Sequence, residues 1–281
     1  MATPTLPIGD TRVAHPEASQ YAIVFENVAI AFEENVVLDG VSFRLEHGET
    51  KALFGVAGSG KSTILKLALG LLPPDSGRIS LLGEEVTSMS EQELFDLRRR
   101  VGIVFQESAL FDSLRVRDNV AFRLMEEGLS EEEIDRRVRE ALRFVELERT
   151  IDMFPSELSG GMRRRVAIAR AVITQPEVLL YDSPTGGLDP VTSNTIIELI
   201  MKQRDVYKTS ALLVTHRLQD AFTMATNQFD KNTNQLVPLP RGQQCEVPMS
   251  FLLLRDGKVI FDGNAHDLAS SRDPYIREYI S

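Results

Sequence analysis

The first patterned part of the chain contains short apolar runs of the kind that form β-strands. Residues 21–32 and 36–45 are rich in Val, Ile, Leu and Phe, and the polar residues 33–35 separate them. A third run, residues 51–54, leads directly into a glycine-rich stretch. Short runs of this composition predict strands. We therefore expect a small antiparallel sheet laid against a core strand.

From residue 64 onward, the apolar positions take helical spacing and then alternate with further strand-like runs. Apolar residues at positions 64, 65, 67, 68 and 69 predict a helix, and residues 78–82 predict a strand. Ser90 and Glu93 form a capping-box pattern, which predicts a helix that runs toward Arg99. Residues 101–105 are a short apolar run and predict a buried strand that ends at Gln106.

A charged, amphipathic segment follows. Ser130 and Glu133 form a second capping-box pattern, and the apolar residues Ile134, Val138 and Leu142 fall on one helical face. Helices between residues 90 and 149, inserted between strands of an α/β core, predict a separate helical subdomain. We place it at about residues 88–160.

The last third of the chain returns to strand-like runs. Residues 178–181 and 211–214 are apolar and end in polar residues, and residues 251–254 and 258–261 flank an Asp-Gly turn. The first two runs predict buried strands, whereas the last two predict a β-hairpin.

The remaining segments predict the boundaries of the domain. Residues 1–20 contain three prolines among polar residues and lack an apolar signal-peptide core, so we expect a flexible N-terminal tail. Residues 227–247 are polar, with prolines and no periodicity, and predict an inserted surface loop. We assign residues 21–263 to one domain and residues 264–281 to a C-terminal tail.

Composition and charge restrict the possible functions. The 281 residues are 43% hydrophobic, which is enough for a full core. The formal net charge of −10 argues against a general nucleic-acid binder, because such proteins need a basic surface. The one cysteine, Cys245, cannot form an internal disulfide, and no apolar run approaches the roughly 20 residues of a membrane span. We expect a soluble, intracellular protein.

The strongest chemical signal lies between the third strand and the first helix. Residues 55–63 read GVAGSGKST and fit the pattern G-x-x-x-x-G-K-[ST], whose backbone N–H groups cradle a polyphosphate. In this pattern Lys61 reaches the β- and γ-phosphates and the Ser62 hydroxyl binds Mg²⁺. The alternative is a Gly/Ser turn that opens an ordinary helix. The candidate nucleotide-binding residues here are Gly55, Gly58, Ser59, Gly60, Lys61, Ser62 and Thr63.

Polar residues at the ends of three predicted strands form a second set of candidates. Gln106, Asp182 and His216 each follow an apolar run. The carboxyl ends of parallel strands meet at one edge of a sheet, so these side chains are predicted to surround one γ-phosphate, with Asp182 holding Mg²⁺. Taken alone, a strand-terminal aspartate is often a turn or cap residue, and a lone histidine often has no role.

A second anion site is predicted at residues 158–162, which read LSGGM and precede a helical run. Ser159, Gly160 and Gly161 leave the N–H groups of that helix start accessible to an anion. An ordinary helix N-cap would look the same.

Taken in order, GVAGSGKST, Gln106, LSGGM, LLYD, GLDP and His216 resemble the motifs of the nucleotide-binding subunit of ABC transporters. The resemblance covers roughly residues 21–263. It implies an α/β fold, namely a P-loop NTPase (RecA-like) core with an antiparallel β subdomain and an inserted helical subdomain. It also implies the cofactors ATP and Mg²⁺, with Ser62, Gln106 and Asp182 around the metal.

The resemblance further implies a head-to-tail dimer. The signature residues Ser159, Gly160 and Gly161 of one chain would close on the ATP that Lys61 holds in a second copy. Phe32, before the phosphate loop, would stack on the adenine. The alternative for Phe32 is a core position in the small sheet.

A narrower resemblance is to the ATPases of Mla-type (MCE-associated) lipid transporters. It rests on residues 37–43, on residues 105–122, and on Met162 at the end of the signature. It implies that Phe111, Leu114 and Val116 dock onto an integral membrane permease, with the subunit on the cytoplasmic, inner face of the cell membrane and phospholipid contacted only indirectly. The alternative keeps these three residues in the core of the helical subdomain.

One position departs from the family. Ser183 follows Asp182, where ABC subunits carry the glutamate that polarises the attacking water. A serine hydroxyl does not accept that proton usefully near pH 7. Three functions therefore compete: an ATP-hydrolysing motor of a lipid transporter, an ATP-gated clamp with weak hydrolysis, and a soluble ABC ATPase that acts on nucleic acid or another protein complex. The acidic charge weakens the third.

Overall fold

The computed structural model describes residues 20–240 and 245–280. In these residues the strands are, in chain order, β1 (Tyr21–Phe32), β2 (Asn35–Glu46), β3 (Thr50–Gly55), β4 (Ser76–Leu81), β5 (Glu84–Glu85), β6 (Val101–Val104), β7 (Val178–Asp182), β8 (Ser210–Val214), β9 (Asn227–Asp230), β10 (Gln235–Pro238), β11 (Met249–Arg255) and β12 (Lys258–Gly263). The helices are α1 (Lys61–Ala68), α2 (Glu91–Arg98), α3 (Val116–Ala121), α4 (Glu131–Phe144), α5 (Gly160–Val172), α6 (Pro190–Tyr207), α7 (Leu218–Thr226), α8 (Ala265–Ala269) and α9 (Pro274–Ile280).

A six-stranded sheet forms the centre of the molecule, in the order β12-β11-β3-β8-β7-β6. Strands β11, β3, β8, β7 and β6 run parallel, and β12 pairs antiparallel at one edge. Every residue of β3 and β8 is buried. The continuous apolar runs therefore became strands covered on both faces, as is typical of parallel sheets.

A four-stranded antiparallel sheet, in the order β2-β1-β4-β5, packs against this core, as predicted. The rings of Phe25 on β1 and Phe43 on β2 stack with centroids 4.7 Å apart. Both side chains belong to an apolar cluster that includes Leu53 of β3 and Ile64 of α1. Burial of this shared cluster fixes the small sheet beside the segment that follows β3.

The helical subdomain consists of α3 and α4 packed on α5. Ile134, Val138 and Leu142 of α4 are buried, which confirms the predicted amphipathic helix. The predicted second capping box is only half correct. The Ser130 side chain accepts a bond from the Glu133 N–H at 3.3 Å, but the Glu133 carboxylate pairs with Arg136 and Arg137 instead.

The subdomain is smaller than the predicted range of residues 88–160. Strand β6 belongs to the six-stranded sheet. Helix α2 buries Leu94 and Leu97 in the same cluster as the small antiparallel sheet, apart from α3 and α4. The capping box of α2 is present as predicted, with Ser90 and Glu93 each bonded to the other's backbone N–H.

The predicted inserted loop, residues 227–247, is structured in its first half. Strands β9 and β10 form an antiparallel hairpin. The Phe229 N–H donates to the Asp205 carboxylate at 2.7 Å, and Arg204 donates to the Asn227 carbonyl at 3.0 Å. The hairpin is thus anchored on α6, a long-range contact that a search for local periodicity does not detect. Residues 241–244 lie outside the described part.

The C-terminal segment, residues 264–281, is not the tail that we expected. Helices α8 and α9 bury Leu268 and Ile276 against Phe54 of β3 and Phe251 of β11. The apolar faces of these two helices are short, so the sequence alone does not predict that they pack against the sheet. The predicted N-terminal tail lies outside the described residues, except for Gln20. Among the described residues, no helix combines the length and the apolar character needed to cross a bilayer.

Candidate functional site

The phosphate loop connects β3 to α1. Gly55 ends β3, and Gly58 and Gly60 adopt φ angles of 80° and 94°, which glycine reaches without strain. A Cβ atom on Gly55 would lie 2.5 Å from the Ser59 Oγ and 2.6 Å from the Leu254 carbonyl oxygen. Glycine is therefore required at the first position of the loop for steric reasons.

Lys61 lies inside this loop at the start of α1. Its Nζ donates to the carbonyl oxygens of Gly55 and Val56, each at 2.8 Å. Partial burial lowers the pKa of the Lys61 ammonium, and the nearby Asp182 carboxylate opposes that shift. The neighbouring Ser62 is exposed and Thr63 is half-buried. The loop therefore presents a cation and a hydroxyl at the N-terminal end of a helix, which favours an anion.

The three strand-end candidates lie on one edge of the sheet, as predicted. Strand β7 lies between β6 and β8, with Val104 opposite Tyr181 and Asp182 opposite Val214. Gln106 and His216 follow their strands and are exposed, whereas Asp182 is half-buried. Since β3 pairs with β8, the phosphate loop leaves the sheet at the same edge. Gln106, Asp182, His216 and the loop therefore lie at one edge of the sheet, at the carboxyl ends of the strands, where open α/β sheets bind ligands.

Ser183 has an unusual and firmly held backbone. Its φ is 46°, a left-handed conformation that costs free energy for a residue with a side chain. The Ser183 N–H donates to the Val214 carbonyl at 2.9 Å, and its carbonyl accepts from the Gly186 N–H at 2.9 Å. The Ser183 hydroxyl lies 3.5 Å from an Asp182 carboxylate oxygen. The backbone of Ser183 is thus fixed, and its hydroxyl lies next to the Asp182 carboxylate.

Arg164 is a residue of this site that sequence reasoning missed. It is only 4% exposed, and its Nη1 donates to the Ser183 and Pro184 carbonyls at 3.0 and 2.9 Å. Its Nη2 contacts the Gln106 carbonyl. One buried guanidinium therefore joins the Gln106 segment to the Ser183 segment. The basic stretch 163–165 beside an apolar helical face was the available signal, but it does not tell which arginine is buried.

A second arginine of α5 holds the same segment. Arg170 donates to the Ser108 carbonyl at 2.8 Å and to the Ala109 carbonyl at 2.7 Å. Ser108 and Ala109 both have positive φ, at 67° and 46°. Arg164 and Arg170 together fix the strained turn that follows Gln106.

The signature residues begin α5. Ser159 is exposed, and its side chain accepts a hydrogen bond from the Met162 N–H at 3.2 Å, as an N-cap does. A Cβ atom on Gly161 would lie 2.3 Å from the Thr192 Cγ2, and one on Gly160 would lie 3.7 Å from Leu188. Within one chain, the signature therefore contacts the 187–192 segment after β7. The helix start itself remains accessible.

Phe32 ends β1 and is 46% exposed. The alternative of a core position for this ring is therefore wrong. An aromatic ring exposed at a strand end is available to stack on a planar ligand.

Phe111, Leu114 and Val116 are predicted to dock on a permease. For Val116 this prediction is wrong, because its side chain is 0% exposed and packs in the helical subdomain. Phe111 is 43% exposed and packs against Phe122, 40% exposed, with the rings tilted and a centroid distance of 4.7 Å. Leu114 is half-buried. The buried Asn119 amide donates to the Phe111 and Leu114 carbonyls, each at 3.0 Å, and so fixes this turn.

The donors at this edge of the sheet are of the chemical type that binds Mg²⁺ together with phosphates. Within residues 20–240 and 245–280, no group of three or more His, Cys, Asp or Glu side chains could hold an ion by itself. Ser62 and Asp182 offer one hydroxyl and one carboxylate beside the loop. Magnesium in such sites is bound by one or two protein oxygens plus substrate phosphates and water.

Comparison with known proteins agrees with this geometry. The family model described as ABC transporter matches residues 38–186, which is more than half of the chain. The chain belongs to the ABC transporter family. It is a P-loop ATPase of the ABC type, as the sequence resemblance implied.

Several relatives and structures are similar to this ABC subunit. It is 38% identical over 271 residues to the chloroplast protein TRIGALACTOSYLDIACYLGLYCEROL 3 of Arabidopsis thaliana, covering 93% of this chain and 74% of the relative. It is 30% identical over 263 residues to the intermembrane phospholipid transport system ATP-binding protein MlaF of Haemophilus influenzae, covering 93% and 91%. It is 40% identical over 200 residues to the methionine import ATP-binding protein MetN 2 of Bacillus cereus, covering 70% of this chain and 59% of that relative.

Among solved structures, a dimeric, post-hydrolysis state of the ATP-binding cassette MJ0796 bound to ADP and Pi superposes with a TM-score of 0.72 at 29% identity. It covers 86% of this chain and 98% of the cassette. The cassette cbiO1 from Clostridium perfringens superposes with a TM-score of 0.74 at 27% identity, covering 93% and 99%. These matches confirm the predicted α/β P-loop fold.

Proposed function

We propose that this chain is the ATP-binding subunit of an ABC transporter for phospholipid or a related lipid, working as a head-to-tail dimer on an integral membrane permease. The observation that carries the proposal is the extent of the match to the MlaF protein, which covers 93% of this chain and 91% of that protein. The methionine import relative has higher identity but matches only 70% of this chain.

The phosphate loop supplies the nucleotide site. Lys61, which donates to the loop carbonyls, would also reach the β- and γ-phosphates. The Ser62 hydroxyl and the Asp182 carboxylate would hold Mg²⁺, with Gln106 beside them. When bound, the ion neutralises charge that develops on the phosphates. His216 would contact the γ-phosphate and stabilise its charge.

Two observations support the dimer. Ser159 and Gly160 stand exposed at the start of α5, where helix N–H groups favour an anion. The similar cassette MJ0796 was solved as a dimer. We infer that Ser159, Gly160 and Gly161 complete the ATP site of the partner copy and that Phe32 stacks on the adenine.

Hydrolysis in this dimer would be slow. Ser183 lies beside Asp182 but offers only a hydroxyl, which cannot act as a general base near neutral pH. Loss of a general base typically lowers rates by about 10²–10⁴. We infer an ATP-gated clamp whose closed state is long-lived, with nucleotide binding retained.

The exposed pair Phe111 and Phe122 supports attachment to a membrane subunit. Two adjoining, partly exposed rings on a turn fixed by Asn119 form a rigid apolar projection. Such a projection fits a hydrophobic recess in a partner. On this proposal the subunit lies in the cytoplasm on the inner face of the membrane and meets the lipid only through the permease.

The test is purification of the chain from its native membrane under mild detergent, followed by reconstitution with whatever membrane subunit copurifies. Phospholipid vesicles should stimulate ATP turnover above the level seen with free L-methionine. Stimulation by methionine alone would favour the methionine import relatives instead. Purification without any membrane subunit would favour a soluble ABC ATPase.

A further inference from the structure

We propose that the C-terminal helix α9 positions the phosphate loop through the Tyr279 hydroxyl, which makes Tyr279 a positioning residue for ATP. The Gly55 N–H donates a hydrogen bond to the Tyr279 hydroxyl oxygen at 3.3 Å. These two residues are 224 positions apart in the chain. The proposal rests on ATP binding at residues 55–63.

Gly55 is the point where the chain leaves the sheet and becomes the loop. It is the last residue of β3 and is buried, so its N–H needs a protein partner. Its φ of 150° places it outside the usual range for other residues. The direction in which the loop departs therefore depends on how this one peptide unit is held.

Gly55 also contacts Lys61, the lysine proposed to bind ATP. The Gly55 carbonyl accepts a hydrogen bond from the Lys61 Nζ at 2.8 Å. Gly55 therefore makes both contacts: its N–H donates to Tyr279, and its carbonyl accepts from Lys61. Because Gly55 links α9 to Lys61, a shift of α9 would displace Gly55 and, with it, the Lys61 ammonium.

Helix α9 is docked by contacts that do not involve this hydroxyl. Ile276 is buried against Phe54 and Phe251 beneath the sheet. The Arg255 guanidinium lies 4.1 Å from the centre of the Tyr275 ring. Burial raises the pKa of the Tyr279 phenol, so the hydroxyl keeps its proton at neutral pH. Removal of the hydroxyl alone should therefore leave the helix in place.

The chain offers a matched control. Tyr275 lies on the same helix, one turn away, with its ring centre 6.1 Å from that of Tyr279. Tyr275→Phe deletes the same atom from the same helix without touching Gly55. Any difference between the two variants therefore reports the contact with the loop.

The experiment titrates Mg·ATP into the full chain by calorimetry for wild type, Tyr279→Phe and Tyr275→Phe, with a melting temperature for each. We expect Tyr279→Phe to weaken ATP binding by about three- to tenfold, the range of one ordinary hydrogen bond. In steady-state assays KM for ATP should rise while kcat stays near wild type, because the contact orders the loop before chemistry begins. Tyr275→Phe should bind ATP like wild type.

Three results would overturn the proposal. The first is wild-type ATP affinity in Tyr279→Phe. The second is an equal loss in Tyr275→Phe, which would assign the effect to the packing of α9. The third is a melting temperature for Tyr279→Phe several degrees below that of the control, which would make the hydroxyl a docking contact. A wild-type chain that does not bind Mg·ATP would instead contradict the ATP site on which the proposal rests.

Discussion

The Arg164 Nη1 donates a 3.0 Å hydrogen bond to the Ser183 carbonyl. Arg164 lies on α5, the helix that begins within the LSGGM signature, and Ser183 stands where ABC subunits carry the catalytic glutamate. The other arm of the same guanidinium contacts the Gln106 carbonyl. Helix α5, which Ser159 caps, is therefore bonded to both segments that would surround the γ-phosphate. Movement of α5 on dimer closure would reach Ser183 and Gln106 together.

The contacts of the buried Arg164 guanidinium predict that Arg164→Gln strongly destabilises the fold. The shorter side chain loses the bonds to the Pro184 and Gln106 carbonyls, and a buried carbonyl left unpaired costs about 1–3 kcal/mol, whereas the Ser183 carbonyl keeps its bond from the Gly186 N–H. We expect the free energy of unfolding to fall by about 2–4 kcal/mol on that basis. Arg163→Gln is the control, since Arg163 is half-buried and donates to the Leu158 carbonyl at the start of its own helix. Denaturant unfolding curves that superpose for the two variants would contradict this role of Arg164 in stability.

Lys61→Ala should weaken nucleotide binding itself. It removes a charge-assisted contact to phosphate worth about 1.5–3 kcal/mol. Lys66→Ala is the matched control, because Lys66 lies on the same helix and is exposed. Equilibrium titration of Mg·ATP measures both. Equal affinities in the two variants would place the nucleotide elsewhere.

Replacement of Ser159 by arginine should prevent ATP-dependent dimerisation while ATP binding stays near normal. The substitution also removes an N-cap, at a cost of about 1 kcal/mol. Ser130→Arg removes the equivalent cap from α4, away from the signature, and controls for that loss. Light scattering with and without Mg·ATP reports association. If Ser159→Arg loses ATP binding and association to the same degree, the shared-site geometry is wrong.

Local patterns predicted the glycine loop and the strand ends of the candidate site and missed what depends on distant contacts. The loop, Asp182 and the strand ends follow from glycine spacing and short apolar runs, which act within a few residues. The burial of Arg164 and the docking of α9 on Phe54 arise only after the sheet has formed. Val116 illustrates the same limit, because its apolar character does not distinguish a core position from a docking surface.

Phe111→Asp should abolish copurification with a membrane subunit and leave the melting temperature of the isolated chain unchanged. A charge on an exposed ring position costs the fold little but cannot enter an apolar recess. Phe95→Asp is the control, because Phe95 on α2 is similarly exposed, at 46%. A drop of several degrees for Phe111→Asp alone would show that this ring supports the fold.

Ser183→Glu tests the central claim that this ABC ATPase binds Mg·ATP but hydrolyses it slowly. The left-handed backbone at position 183 is held by Val214, Gly186 and Arg164, so a glutamate would start from the same fixed backbone. A restored general base should raise the rate without tightening nucleotide binding.

The measurement is steady-state phosphate release at saturating Mg·ATP by the wild-type chain and by Ser183→Glu, with the ATP affinity of each determined in parallel. We predict at least about a tenfold higher turnover for Ser183→Glu, a conservative share of the general-base contribution, at unchanged affinity. A wild-type turnover equal to that of Ser183→Glu would contradict slow hydrolysis, because another residue would then orient the attacking water.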